Sequence, residues 1–196
     1  MLTFGAAIKL PKGEDGYEDV HRPDESGVTA QTVKALFDES VQQARMKLLA
    51  THYSIVDCDI GEGTVVRDFV NLYGCKIGRD CKIAAYVEIQ RDVVIGDRCK
   101  IEAYAFIPSG VTIGDEVFIG PHAVFTNDPN PRATGDWKIV PTKVMEGASV
   151  GAGAVIRCGV TIGKGAMVGA AAVVTKDVPP GSTVVGNPAR VVKGRK

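Results

Sequence analysis

The sequence predicts an all-β fold, a three-sided prism of stacked short strands, and three observations predict it. First, an apolar residue recurs every six positions at Ile77, Ile83, Ile89, Ile95, Ile101, Ile107, Ile113, Ile119 and Phe125, and the spacing resumes at Val144, Val150, Ile156, Ile162, Val168 and Val174. Second, four residues after fourteen of these anchors stands a small or β-branched residue, from Cys81, Val87 and Val93 through to Val178. Third, 23 glycines accompany an aromatic content of only 6%, which suits a narrow aliphatic core.

A period of six fits neither a helix of 3.6 residues per turn nor an unbroken two-residue alternation. It fits a short strand plus a corner, repeated. Three such units close a coil of about eighteen residues, and each strand pairs in parallel with its copies in the coils above and below, about 4.8 Å away. Some six coils are expected over residues 60 to 193. An earlier run, Ile60, Val66 and Leu72, joins the series with a gap of five, which implies one residue deleted at a corner. Gly78, Gly96, Gly114, Gly120, Gly151, Gly163 and Gly169 hold the second place of the hexad, as expected where a tight corner needs permissive dihedrals.

Two segments fall outside the repeat. From Thr126 to Lys143 the hexads stop at TNDPNPRATGDWKIVPTK, which contains three prolines and the single tryptophan, Trp137. The register is intact on both sides, so the segment is expected to be extruded from a corner, and such long loops are commonly functional. Residues 1–52 form the other departure: an acidic irregular arm, then an amphipathic helix with Val33, Phe37, Val41, Ala44 and Leu48 on one face and Thr29 as N-cap. It is expected to cover the open first coil or a neighbouring subunit. The repeat domain is then 53–196.

The 196 residues carry 23 Lys+Arg against 23 Asp+Glu, a balance without the global positive field that non-specific nucleic-acid or polybasic membrane binding needs. No run reaches the roughly 20 apolar residues of a membrane helix, and the start has neither a basic n-region nor a long apolar segment, so a cytoplasmic location is expected. Cys58, Cys75, Cys81, Cys99 and Cys158 form no CxxC pair and are expected to be reduced core thiols.

Of three histidines, His21 lies in the arm, His52 at the helix exit and His122 on the repeat. His122 takes the fourth place of IGPHAV, facing outward near a corner just before the extruded loop. Histidine ordinarily titrates near neutrality and can take a proton from a nucleophile, so His122 is the candidate base. A zinc site of three histidines is not supported, since the repeat holds one. Towards the C-terminus, Ala152 and Ala170 stand eighteen apart on small-residue corners, able to offer backbone amides to an elongated ligand, and Lys176, Arg190 and Lys193 supply cations for phosphates.

The hexads IGDEVF, VGAGAV and IGKGAM resemble those of the hexapeptide-repeat acyltransferases, which implies a left-handed parallel β-helix over roughly residues 60 to 193. The segment VTKDVPPGS leading into GNPAR resembles the end of coenzyme A-dependent members. The resemblance implies acetyl-coenzyme A as cosubstrate, no metal, and Thr175 at the mouth of the site. Within that superfamily, FTNDPNPRA after an HAV step is similar to nucleotide-sugar N-acetyltransferases acting on a 3-amino group of a UDP- or dTDP-linked sugar in polysaccharide biosynthesis. The match is carried by His122, Asn127, Asp128, Pro131 and Arg132, with VEIQ two coils earlier supplying Glu88 and Gln90.

What this resemblance implies is direct attack of a substrate amine on the thioester, with a corner amide stabilising the oxyanion. Asp128 or Glu88 would bind the ammonium or hydroxyls, and Arg132 or Trp137 the sugar or its nucleotide, with Gln90 and Asn127 completing the substrate-binding group. A homotrimer with sites between subunits is also implied. His122 either takes the proton or orients the substrate. The long arm departs from the family, and the loop lacks the histidine of galactoside acetyltransferases. O-acetylation of a hydroxyl acceptor and a non-catalytic scaffold remain open alternatives.

Overall fold

The computed structural model describes residues 47–192. They form a left-handed parallel β-helix of seven coils, each strand two or three residues long. The first face stacks Lys47–Leu49, Val65–Arg67, Lys82–Ile83, Lys100–Ile101, Phe118–Ile119, Ser149–Val150, Met167–Val168 and Thr183–Val185. The second stacks Ser54–Val56, Asn71–Tyr73, Glu88–Ile89, Phe106–Ile107, Val124–Phe125, Val155–Ile156 and Val173–Val174. The third stacks Asp59–Ile60, Lys76–Ile77, Val94–Ile95, Val111–Ile113, Thr142–Val144 and Thr161–Ile162. Pairing is parallel throughout until Arg190–Val191 turns back antiparallel on Thr183–Val185.

The hexad register is the pairing register: Ile83, Ile101, Ile119 and Val150 stack in one column. Every anchor and every one of the fourteen second residues is buried. The core is thus columns of branched aliphatic side chains interleaved with small ones, and removing one such isoleucine down to alanine costs about 2–5 kcal/mol. Cys81 and Cys99 are stacked neighbours, the Cys99 amide donating to Cys81 Sγ at 3.4 Å. Four cysteines are buried as expected, whereas Cys58 is only half-buried.

The expected count of six coils is one short, because residues 47–60 build a further coil whose strands Lys47–Leu49 and Ser54–Val56 precede Ile60, the first residue of the hexad series. The five-residue gap does mark a short corner, at Gly74, where one residue turns with φ 59°. Lys47–Leu49, placed by helical spacing in the last turn of a helix, is instead a strand paired with Val65–Arg67. Leu48 therefore belongs to the stack, which starts before residue 53; the rest of the helix and the arm, with His21, lie outside the described residues. The loop is also shorter than 126–143. Thr126 still donates its amide to Ile156, and Thr142–Val144 pairs with Val111–Ile113, which leaves residues 127–141 outside the coils.

The second-place glycines do not meet the dihedral requirement expected of them. None of the seven has a positive φ. Each lies where the next coil passes so closely that a Cβ would meet another residue at 2.2–2.8 Å, in most cases the next coil's backbone. The left-handed residue is the fourth of the hexad, and it is often not glycine: Arg98, Tyr104, Glu116 and His122 all have φ between 55° and 62°. Among the described residues, no helix is long and apolar enough to cross a membrane.

Candidate functional site

The first edge of the prism, joining the first and second faces, carries His122 in the left-handed conformation at φ 57°. Its ring ends a ladder of five among the described residues. His52 stacks on Phe69 at 5.3 Å, Phe69 on Tyr86 at 4.8 Å, Tyr86 on Tyr104 at 4.7 Å and Tyr104 on His122 at 4.7 Å, all within 11° of parallel. Each rung comes from the same corner of successive coils, so coil spacing sets ring spacing. Beyond His122 the ladder stops, because the next two coils place Gly153 and Ala171 at that position.

Ala152 and Ala170 lie on this same edge, exposed, in the two coils that follow His122. Their amides donate to no acceptor among the described residues. On the third edge the corresponding amides are occupied: that of Arg79 donates to Asp97 Oδ1 at 2.8 Å and that of Asp97 to Asp115 Oδ1 at 2.9 Å. A Cβ on Gly153 would meet nothing within 4 Å. The edge beyond His122 is therefore a smooth track of small residues with free donors, which fits an elongated acyl carrier such as coenzyme A.

The second face separates this edge from the loop. Glu88 is half-buried on that face and accepts from Gln90 Nε2 at 2.9 Å. Gln90 Oε1 accepts from the Ser109 amide at 3.4 Å, and Asn127 Nδ2 donates to the Ser109 carbonyl at 3.2 Å. Glu88, Gln90, Ser109 and Asn127 thus form one chain of hydrogen bonds along the second edge. Asn127 also closes the loop neck, its carbonyl accepting from Val140 at 2.8 Å. Past the neck, Asp128 Oδ1 accepts from the Asn130 amide at 2.8 Å and Arg132 Nη1 donates to the Pro131 carbonyl at 3.2 Å. Trp137 is 59% exposed.

His122 and Asn127 flank one face, five residues apart, so at about 3.3 Å per residue they stand no more than roughly 17 Å from each other. The cation group is not brought together. Thr175 and Lys176 lie on the second edge in the last coil, opposite the track of Ala152 and Ala170, because they follow the second-face strand Val173–Val174. Arg190 lies on the antiparallel strand against Val185 of the first face, its Nη1 donating to the Ala189 carbonyl. Lys193 lies outside the described residues. Among the described residues no group of three or more His, Cys, Asp or Glu side chains is placed to hold a metal.

Sequence reasoning missed Tyr104 under His122 and the buried Ser109 link. The first was signalled, since Tyr86, Tyr104 and His122 are eighteen apart in turn. Ser109 carried no comparable signal, being one polar residue at a corner position.

Residues 92–127 and 141–176 match the family model of the bacterial transferase hexapeptide, six repeats. No curated protein matches the sequence. Among solved structures, the chain is similar to PerB from Caulobacter crescentus, in complex with CoA and GDP-perosamine, at 24% identity over 82% of this chain and 65% of that one, with a TM-score of 0.54. It thus spans just under two thirds of the length of PerB. It is similar to AntD, an N-acyltransferase from Bacillus cereus in complex with dTDP and coenzyme A, at 20% identity over 81% and 89% of the two chains, with a TM-score of 0.59. A third, a hexapeptide-repeat containing acetyltransferase from Vibrio cholerae complexed with acetyl coenzyme A, gives 24% identity over 85% and 80%, with a TM-score of 0.52. Identities this low establish a shared fold, and with the repeat match they make the chain a hexapeptide-repeat left-handed β-helix with the fold of these acetyltransferases.

Proposed function

We propose that the protein is an acetyl-coenzyme A-dependent N-acetyltransferase acting on an amino group of a nucleotide-linked sugar. The observation that carries this reading is the common edge: His122 stands at the start of a track of small residues whose Ala152 and Ala170 amides are free. Acetyl-coenzyme A would lie along that track, its thioester beside His122, with Arg190 and Lys193 available to its phosphates, and with Lys176 and Thr175, on the opposite edge, available to it from a neighbouring subunit of the proposed trimer. PerB and AntD, which share the fold, were crystallised with CoA or coenzyme A and with a nucleotide sugar or nucleotide.

In the transfer, the acceptor nitrogen bonds to the acyl carbon and the carbon–sulfur bond breaks. The nitrogen loses one proton and the departing sulfur ends as a thiol. His122 takes that proton or holds the amine in line, and a free corner amide stabilises the oxyanion. Glu88 and Asp128 would bind the acceptor's ammonium and hydroxyls, while Arg132 and Trp137 would hold its sugar or nucleotide. Gln90 and Asn127 hold the groups around them in place. The second face is open in a single chain, so a homotrimer with a neighbouring subunit closing it is part of the proposal, as are a cytoplasmic location and a place in polysaccharide biosynthesis.

The test is thiol release from acetyl-coenzyme A with a panel of UDP-, dTDP- and GDP-linked amino sugars, together with calorimetry of coenzyme A binding and light scattering. Turnover with an amino sugar, and none with its hydroxyl analogue, supports the N-acetyltransferase. No turnover with any acceptor and no coenzyme A binding would sink it in favour of a scaffold.

A further inference from the structure

Neither ring nitrogen of His122 has a hydrogen-bond partner among the described residues. Histidines that move protons are usually oriented by a partner on the second nitrogen, and among the described residues that device is missing. What fixes the imidazole instead is a ring: Tyr104, parallel to within 8° at 4.7 Å. Tyr104 is itself held from below by Tyr86 at 2° and 4.7 Å, and that ring by Phe69. All four of these residues adopt the left-handed conformation, with φ between 57° and 62°, so their Cα–Cβ bonds leave successive coils in the same direction.

Resting on the reading of His122 as a participant in transfer, we propose that Tyr104 is a positioning residue for His122. Its ring covers one imidazole face and holds the plane across the prism axis. That leaves the nitrogen-bearing edge towards solvent and the other face towards Gly153 and the free amides of Ala152 and Ala170. A histidine without the ring beneath it would rotate about its side-chain torsions and present its nitrogens to the acceptor only part of the time.

The experiment compares Tyr104→Ala, Tyr104→Leu, Tyr104→Phe and His122→Ala in thiol release with a dTDP-linked 3-amino sugar, and records the imidazole proton shifts of His122 by NMR without substrate. Alanine is sterically acceptable there, since Ala171 occupies the same corner at φ 56°; leucine keeps the bulk without the ring. An aromatic pair of ordinary strength translates to a kcat lowered roughly three- to tenfold in the alanine and leucine variants. KM for acetyl-coenzyme A is expected to hold, Tyr104→Phe to restore kcat, and the His122 protons to lose their upfield ring-current shift in Tyr104→Ala. If His122→Ala is inactive while the alanine and leucine variants keep wild-type kcat, the positioning role is overturned and the function stands. If His122→Ala is fully active, the catalytic reading of His122 falls and the positioning role with it.

Discussion

A Cβ placed on Gly120 would lie 2.7 Å from the amide nitrogen of Ala152, one coil on, and one on Gly151 would lie 2.6 Å from that of Ala170. These two glycines let successive coils approach along the edge that carries His122. Gly120→Ala is therefore expected to destabilise the protein by about 1–3 kcal/mol, the cost of overpacking. Gly153→Ala, with φ 66° and open space around it, is expected to cost about 1 kcal/mol, the left-handed penalty alone. Urea unfolding of both variants decides the matter, and equal losses would refute the close-approach explanation.

That contrast shows what was legible in the sequence. The period of six announces the coils, and the fourteen small partners announce a narrow core, because one repeated packing solution leaves one repeated residue pattern. The second-place glycines were visible too, but their purpose was not: a dihedral requirement and a close approach select the same residue. The tyrosine ladder was readable only once eighteen, not six, was taken as the interval between touching residues. Thr175 and Lys176 stand apart from Arg190 for a related reason. Closeness in sequence to Arg190 does not survive a coil in which five residues carry the chain from one edge to another.

Asp68 caps the first coil, its Oδ1 accepting from the Thr51 amide at 2.6 Å, the His52 amide at 3.1 Å and the Thr51 hydroxyl at 3.1 Å. The Thr51 amide first, then that of His52, holds its carboxyl below the usual carboxylate range. A depressed value in the folded state means that the contribution is complete above the unfolded value, near pH 4, and is lost as pH falls through the folded one. Asp68→Ala should thus be less stable than the parent at pH 7, and the difference should shrink in acid. A gap that stays constant from pH 7 to pH 3 would remove Asp68 from the account.

The pair Cys58 and Cys75 stacks at 3.4 Å on the second edge of the first two coils. The bond from the Cys75 thiol lowers Cys58 to about 7, against the opposing effect of burial. The same bond, with burial, pushes Cys75 up. Cys58 should therefore react with iodoacetamide at neutral pH, its rate rising through a midpoint near 7, and Cys75→Ala should move that midpoint up towards the ordinary thiol range of about 8.5. An unchanged midpoint in the variant would show that Cys75 is not the cause.

Asn127 joins the loop to the coils through its side chain, which donates to the Ser109 carbonyl, and closes the loop neck through its own carbonyl, which accepts from Val140. Asn127→Ala removes the first bond and keeps the second, a loss of about 1 kcal/mol for a neutral hydrogen bond. Trp137 is the single tryptophan and sits in the loop, so its fluorescence anisotropy reports loop mobility directly. Anisotropy should fall in the variant. If the loop holds the acceptor, KM for the amino sugar should rise about fivefold, which is that free energy converted to a ratio, with KM for acetyl-coenzyme A unchanged. A fall in anisotropy with no change in either constant would leave Asn127 as a loop anchor and take the loop out of acceptor binding. A rise in KM for acetyl-coenzyme A instead would place the donor, not the acceptor, against Trp137, reversing the two sides of the second face.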